Sequence, residues 1–449
     1  MAVLTLGSRG VVVLIVANIE CEKQRPLVLW CSSHRTLAAE EIPLLLEAGF
    51  RVIPLLTDLW TYTYSAELDS QLCGDWKACV DLPDEVVQRL QAIRIFENGG
   101  ESEFDPEDLQ LMNEYVDLVY VSVLPNVAIR LAKELSSAVL FRAFGHGGLN
   151  TYTRVTEHYK TPPSDLCNCH NFIWAPILTT LQDREAPAMC TGALHLGAFV
   201  SESRLGSQRW SARTSEEYVV ETIPRIQKQV YYKDIYYQYC RDHGALPLKI
   251  LGGNPPRGGE LDDARILGFL DDEDYYRMVA NARLSIYHGR SYYHLHYHPI
   301  EFMALGVPVL FHRESSLAAE ALQAGMSEAE LVDAGVYTSV GEANEMARAA
   351  LDDPNQAQLW SDRQRFFISE VFSRKKVLNQ ARWLRTRVGQ IRHGCPLSLG
   401  SLDLVQPSTP AAKIESSSSV LDKPRKTLPQ RLKREFKRVL RQAHVLSPE

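Results

Sequence analysis

Short apolar runs that stop at a small or polar turn and pass into an amphipathic helix recur along this chain, which restricts it to parallel strands covered by helices. Leu27 to Cys31 is such a run; it ends in Ser32-Ser33-His34, after which Thr36 can cap a helix through Leu37, Ile42, Leu45 and Leu46 that stops at Gly49. Arg51 to Leu56 reads as the next strand. Val116 to Leu124, Ala128 to Leu135 and Ala138 to Phe144 repeat the strand, helix and strand, and close on Gly145-His146-Gly147-Gly148. Two such units make one doubly wound domain. Tyr62 to Glu107, between them, is mixed and polar, and no element is assigned there.

After Pro162, Pro163, Pro176 and Pro187, Ala193 to Val200 reads as the strand that opens a second domain and leads into a polar loop, Ser201 to Arg213. A helix is expected from about Glu216 to Cys240, then a strand, Leu248 to Leu251, ending in Gly252-Gly253-Asn254-Pro255-Pro256, a turn suited to close approach by a phosphate or base. Ile266 to Leu270, a helix from Asp274 to Ala282, Leu284 to Tyr287, a helix from Pro299 to Leu305 and Val307 to Phe311 complete a second parallel sheet. The expected fold class is α/β. Two Rossmann-like doubly wound domains, 1–186 and 187–395, face across a cleft at the carboxyl ends of their strands, where ligands bind in this architecture.

Of the 449 residues, 45% are apolar and 23% charged, enough for a real core and close to globular averages. The net charge of -7 argues against nucleic acid as a partner. The nine cysteines are odd in number and scattered, which suits reduced thiols in the cytoplasm rather than a disulfide scaffold. Cys167-Asn-Cys169-His170 has no second pair at zinc-like spacing and reads as loop. Val11 to Ala17 is too short for a membrane span and reads as a buried strand. Residues 396–449 form a Ser- and Pro-rich linker followed by a basic amphipathic helix: nine Lys or Arg against one acid between Lys423 and Arg441, with Leu432, Phe436, Val439, Leu440, Ala443 and Leu446 on one face. That helix, 423–446, either docks on the protein itself or lies on an anionic membrane surface.

The densest signal is Ala264 to Phe311, ARILGFLDDEDYYRMVANARLSIYHGRSYYHLHYHPIEFMALGVPVLF. It resembles the donor-binding half of GT-B glycosyltransferases of the retaining "group 1" type, in which a strand, a Gly-Phe-Leu turn, an acidic-capped helix and a second strand precede a Pro-x-Glu-x-Met-Ala-x-Gly-x-Pro-Val motif. Pro299, Glu301, Met303, Ala304, Gly306, Pro308 and Val309 match that motif, and Lys249 to Pro255 resembles the strand and glycine turn before it. The resemblance implies that Glu301 contacts the donor ribose. A carboxylate at a helix start is stabilised by the helix dipole and accepts two hydrogen bonds from a diol, which suits that role. The chain departs from the family pattern at Tyr293, where the retaining branch usually has a second glutamate eight positions before the first.

Further site residues follow the resemblance. Gly252 and Gly253, with Gly268, Phe269 and Leu270, would flank the base, while Arg290 and Arg204 or Arg209 would neutralise the diphosphate. In the His- and Tyr-rich loop after Leu284 to Tyr287, His294 and His298 would hydrogen-bond the sugar or diphosphate, alongside His288 and His296. His294, His296 and His298 alternate and could meet at a metal, but the resemblance implies a reaction that uses helix dipoles and basic side chains, with no metal or other cofactor. His146, at a strand end facing the cleft, is the catalytic candidate beside Glu301, and His34 is a weaker acceptor contact. The expected activity is transfer of a sugar from a nucleotide-sugar donor to a glycan or lipid-linked hydroxyl, in surface-polysaccharide assembly, by a cytoplasmic protein peripheral to the membrane. A nucleotide-sugar epimerase or hydrolase on the same scaffold, and a catalytically silent binding subunit, are the alternatives.

Overall fold

The structure is a computed structural model that describes residues 25–32, 35–55, 76–96, 102–145, 151–190, 192–224, 226, 230–252, 263–268 and 270–394. The strand expected at Val11 to Ala17, His34, His146, Gly253, Phe269 and the whole of 396–449 lie outside them.

In the first lobe β1 (Leu27–Cys31), β2 (Arg51–Pro54), β3 (Leu118–Ser122), β4 (Ala138–Ala143) and β5 (Phe172–Pro176) form one parallel sheet in the order β2-β1-β3-β4-β5. Every residue of β1, β3, β4 and β5 is buried, as expected of strands covered by helices on both faces. Those helices are α1 (Arg35–Glu47), α2 (Asp84–Ala92), α3 (Pro106–Tyr115), α4 (Pro125–Glu134) and α5 (Tyr152–His158). Thr36 sits inside α1 rather than capping it, and Gly49 closes the turn after it at φ +92°. The unassigned stretch contributes α2, and the proline-marked interval contributes β5.

The second lobe holds β6 (Glu216–Thr222), β7 (Leu248–Leu251), β8 (Ile266–Gly268), β9 (Ala282–Ile286), β10 (Val309–His312) and β11 (Val336–Tyr337), all parallel, in the order β11-β10-β9-β6-β7-β8. Around it lie α6 (Val230–His243), α7 (Asp272–Asn281), α8 (His298–Leu305), α9 (Ser316–Gln323), α10 (Glu328–Asp333), α11 (Val340–Asp352) and α12 (Pro354–Phe366). Asp271 caps α7 by accepting from Asp274 N at 2.8 Å, and Ser327 and Glu330 form a capping box on α10. Two parallel-sheet α/β lobes are thus present, as the alternation predicts.

Two expected elements are different. The helix from Glu216 begins instead as β6, because Tyr218 to Glu221 are buried between β9 and β7 and the helix starts only at Val230. Ala193 to Val200 is extended but forms no strand. Its backbone is claimed on one side by β5, with Leu194 N donating to Trp174 O at 2.8 Å, and on the other by side chains. Arg142 Nη2 donates to Gly197 O at 3.2 Å and Gly197 N donates to Gln380 Oε1 at 2.9 Å, so no ladder can continue past it.

Gln380 belongs to the last described helix, α13 (Arg374–Arg392), which leaves the second lobe and packs back on the first. Arg385 Nη1 donates to Ala48 O at 3.2 Å, Arg387 Nη2 to His170 O at 3.1 Å, and Arg374 pairs with Glu47.

Candidate functional site

The second sheet reverses its winding between β6 and β9, which makes the crevice beyond their carboxyl ends the place where this architecture receives ligands. Glu221, the penultimate residue of β6, is fully buried there. Ser285 Oγ on β9 donates to its Oε2 at 3.1 Å, and His288 Nδ1, just past β9, is 2.7 Å from Oε1. His298 Nε2, at the start of α8, also comes within 2.7 Å of Oε1, but off the line a hydrogen bond requires. Burial alone would raise the Glu221 pKa; His298 and His288 outweigh it and hold the carboxyl down at about 2. Burial pushes His288 below its ordinary value. Sequence reading missed Glu221, since nothing in Glu216 to Thr222 marks one acid out from the others.

Glu301 stands in the first turn of α8, buried, where the helix dipole favours its charge. Arg204 Nη2 lies 2.9 Å from Glu301 Oε1 and Arg204 Nη1 lies 3.2 Å from Glu40 Oε1 on α1, so one guanidinium joins carboxylates from both lobes. Burial disfavours the Arg204 charge, but Glu301 and Glu40 more than offset it and raise its pKa. Burial raises the Glu40 pKa despite Arg204. Tyr275 Oη reaches Glu301 Oε2 at 3.5 Å and Thr222 Oγ1 at 3.1 Å, tying the helix start to the end of β6.

The two expected glycine turns meet on the same edge, Gly252 N donating to Gly268 O at 3.2 Å. Gly252 has φ +83°, and a Cβ there would come 3.1 Å from Thr222 Cγ2, so the turn is both left-handed and crowded against β6. Leu270 is half-buried beside them.

The other expected residues are distributed differently. Arg209 folds onto its own loop, donating to Gly206 O at 3.0 Å and Gln208 O at 2.6 Å, and Arg290 pairs with Asp242 at 3.2 Å. His294 docks on the first lobe, with Nδ1 3.2 Å from Gly145 O, and burial lowers its pKa to about 4, which leaves it uncharged at neutral pH. Its Nε2 is 3.2 Å from His296 Nε2, whereas His298 turns to Glu221, so the alternating histidines do not converge on one point. Gly145, at φ +84°, leaves room for the Tyr293 carbonyl, with which a Cβ would collide. The Tyr293 ring itself lies under the Arg184 guanidinium, 4.4 Å from its centroid.

Cys167 and Cys169 are free thiols, and no helix among the described residues is long and apolar enough to cross a membrane.

No protein-family model matches the sequence, and no curated protein does. Among solved structures, the chain is similar to a glycosyltransferase from Rickettsia africae ESF-5 at 8% identity, covering 81% of this chain and 99% of that one with a TM-score of 0.51. It is also similar to Anabaena HepE in complex with UDP, at 13% identity, 81% and 100% coverage and a TM-score of 0.45. A UDP-forming alpha,alpha-trehalose-phosphate synthase from Burkholderia vietnamiensis covers 83% of this chain and 98% of its own at 10% identity and a TM-score of 0.45. With two parallel sheets, each wound on both sides and set in one compact unit, the chain has the GT-B fold.

Proposed function

We propose that this protein is a glycosyltransferase that moves a sugar from a nucleotide-sugar donor to an acceptor hydroxyl. The observation that carries the reading is the buried Glu301 in the first turn of α8, linked through Tyr275 to Thr222 at the end of β6, against which the Gly252 turn is packed. A carboxylate so placed accepts hydrogen bonds from both hydroxyls of a ribose, and the glycine turns leave room for the base. Arg204, already 2.9 Å from Glu301, brings a permanent positive charge to the position that a donor diphosphate would need. His146, which follows β4 in the sequence and lies outside the described residues, is kept as the proposed catalytic group.

The acceptor side is read as a glycan or lipid-linked intermediate of surface-polysaccharide assembly, handled at the cytoplasmic face of a membrane. The basic residues of 423–446 support it, since clustered Lys and Arg are drawn to anionic lipid. Deleting 396–449 should abolish sedimentation with vesicles containing an anionic phospholipid while transfer to a soluble acceptor persists. Truncated protein that still sediments would rule the anchor out.

Nucleotide-sugar binding is read directly by thermal shift, because a ligand that prefers the folded state raises the midpoint. The donor should raise the Tm of the wild-type protein, and Glu301→Gln should weaken its binding about tenfold, or about 1.4 kcal/mol. Equal binding by both would remove Glu301 from the ribose, and product analysis then separates transfer from hydrolysis or epimerisation.

A further inference from the structure

We propose that Glu221, His288 and His298 bind a divalent transition-metal ion of the zinc class at the winding reversal of the second sheet. One ligand atom from each residue falls within 4.8 Å of the others, in a site supplied by β6, the segment after β9 and the start of α8. The donors are two imidazoles and one carboxylate. That set suits zinc or a neighbouring first-row ion better than the all-oxygen shells of magnesium and calcium, and three protein ligands leave a position open.

Hydrogen bonding alone does not account for the arrangement. Both imidazoles approach the same oxygen, Glu221 Oε1, each at 2.7 Å, and only the His288 contact has hydrogen-bond geometry. His298 Nε2, His288 Nε2 and the neighbouring Tyr239 hydroxyl are buried without a hydrogen-bond partner. A buried polar group left unsatisfied is destabilising, so two imidazoles gathered on one carboxylate, each with an unpaired nitrogen, call for a ligand. An ion takes up the His298 lone pair directly. The other carboxylate oxygen is oriented by Ser285 Oγ at 3.1 Å, the kind of outer contact that metal-binding carboxylates have.

The site is distinct from Glu301 and the Arg204 pair, and from the expectation that protein cations alone meet an anionic ligand in this crevice. A cation held by Glu221 would add positive charge at the carboxyl end of β6 and would fasten β6, β9 and α8 to one another. Its occupancy does not depend on the glycosyl-transfer reading, because it is measured with no nucleotide present.

The test uses tag-free, full-length protein dialysed against micromolar zinc and then against metal-free buffer. About one zinc per chain is expected, with a rise in Tm on adding zinc back to chelator-treated protein. Cobalt in place of zinc should give visible d–d absorption. His298→Asn and Glu221→Gln should each lower zinc affinity by about 100-fold or more, whereas His294→Gln should leave it unchanged. His298→Asn is the decisive variant should Glu221→Gln fail to fold, because His298 lies at the helix start rather than inside the sheet. Wild-type protein that retains no zinc, or a His298→Asn protein that keeps its full complement, overturns the proposal.

Discussion

Glu320 shows how far one side chain can be moved from its ordinary chemistry. It sits on α9, buried, and accepts from Thr179 N at 2.9 Å and Thr179 Oγ1 at 2.8 Å in the first lobe. Burial raises its carboxyl from the ordinary 4.5 to about 7, against the pull of those hydrogen bonds. A carboxyl that holds its proton more tightly when folded than when unfolded stabilises the fold fully below about 4.5, and the contribution is lost as the pH rises through about 7. Between those pH values the stability should fall by on the order of 3 kcal/mol, and Glu320→Gln should flatten that stretch of the Tm profile. A profile that Glu320→Gln leaves unchanged would exclude the assignment. Legibility also differs residue by residue. Glu301 can be found from sequence because its neighbours, Pro299, Gly306 and Pro308, must build a helix start and a strand entry at fixed spacing. Glu221 cannot, because its partners His288 and His298 lie 67 and 77 positions later in the chain and only the folded sheet brings them together.

Among elements, those with a local signature were readable and those defined by their neighbours were not. β1 is an unbroken apolar run and β4 is one but for Arg142, and both begin where the pattern predicts. β6 carries Glu216, Glu217 and Glu221 around Tyr218, Val219 and Val220, a pattern that becomes a strand only between β7 and β9. The connector at 193–200 depends on Arg142, whose guanidinium is fully buried on β4. Arg142 Nη2 lies 2.7 Å from Glu41 Oε1 on α1, Tyr120 Oη donates to Glu41 Oε2 at 2.6 Å, and Arg142 also donates to the carbonyls of Ala175, Leu196 and Gly197. Removing the anion leaves that cation buried and uncompensated, so Glu41→Gln should destabilise the protein by about 3–5 kcal/mol in denaturant unfolding. A loss under about 1 kcal/mol would mean that the backbone carbonyls alone suffice.

At the scale of the molecule, the lobes meet through several separate contacts: Arg204 between Glu40 and Glu301, Glu320 on Thr179, Thr180 Oγ1 donating to Tyr292 O at 2.9 Å, and His294 on Gly145. The last is the most constrained, because the Tyr293 carbonyl occupies the space where any other residue at 145 would put its Cβ. Gly145→Ala should therefore push the loop off the first lobe, read as faster amide hydrogen exchange across 291–296 with the two sheets still protected. Exchange unchanged in that loop would show that the backbone absorbs the methyl elsewhere.

The return of α13 to the first lobe means that the chain passes between the lobes twice, once between Ser201, which donates to Glu40 on α1, and Trp210, whose N donates to Leu305 O on α8, and again ahead of Arg374. Two tethers define an axis. Any opening between the lobes is then a swing about the line through both, like a door on paired hinge pins, and a ligand gripping the free edge from both sides would latch it shut.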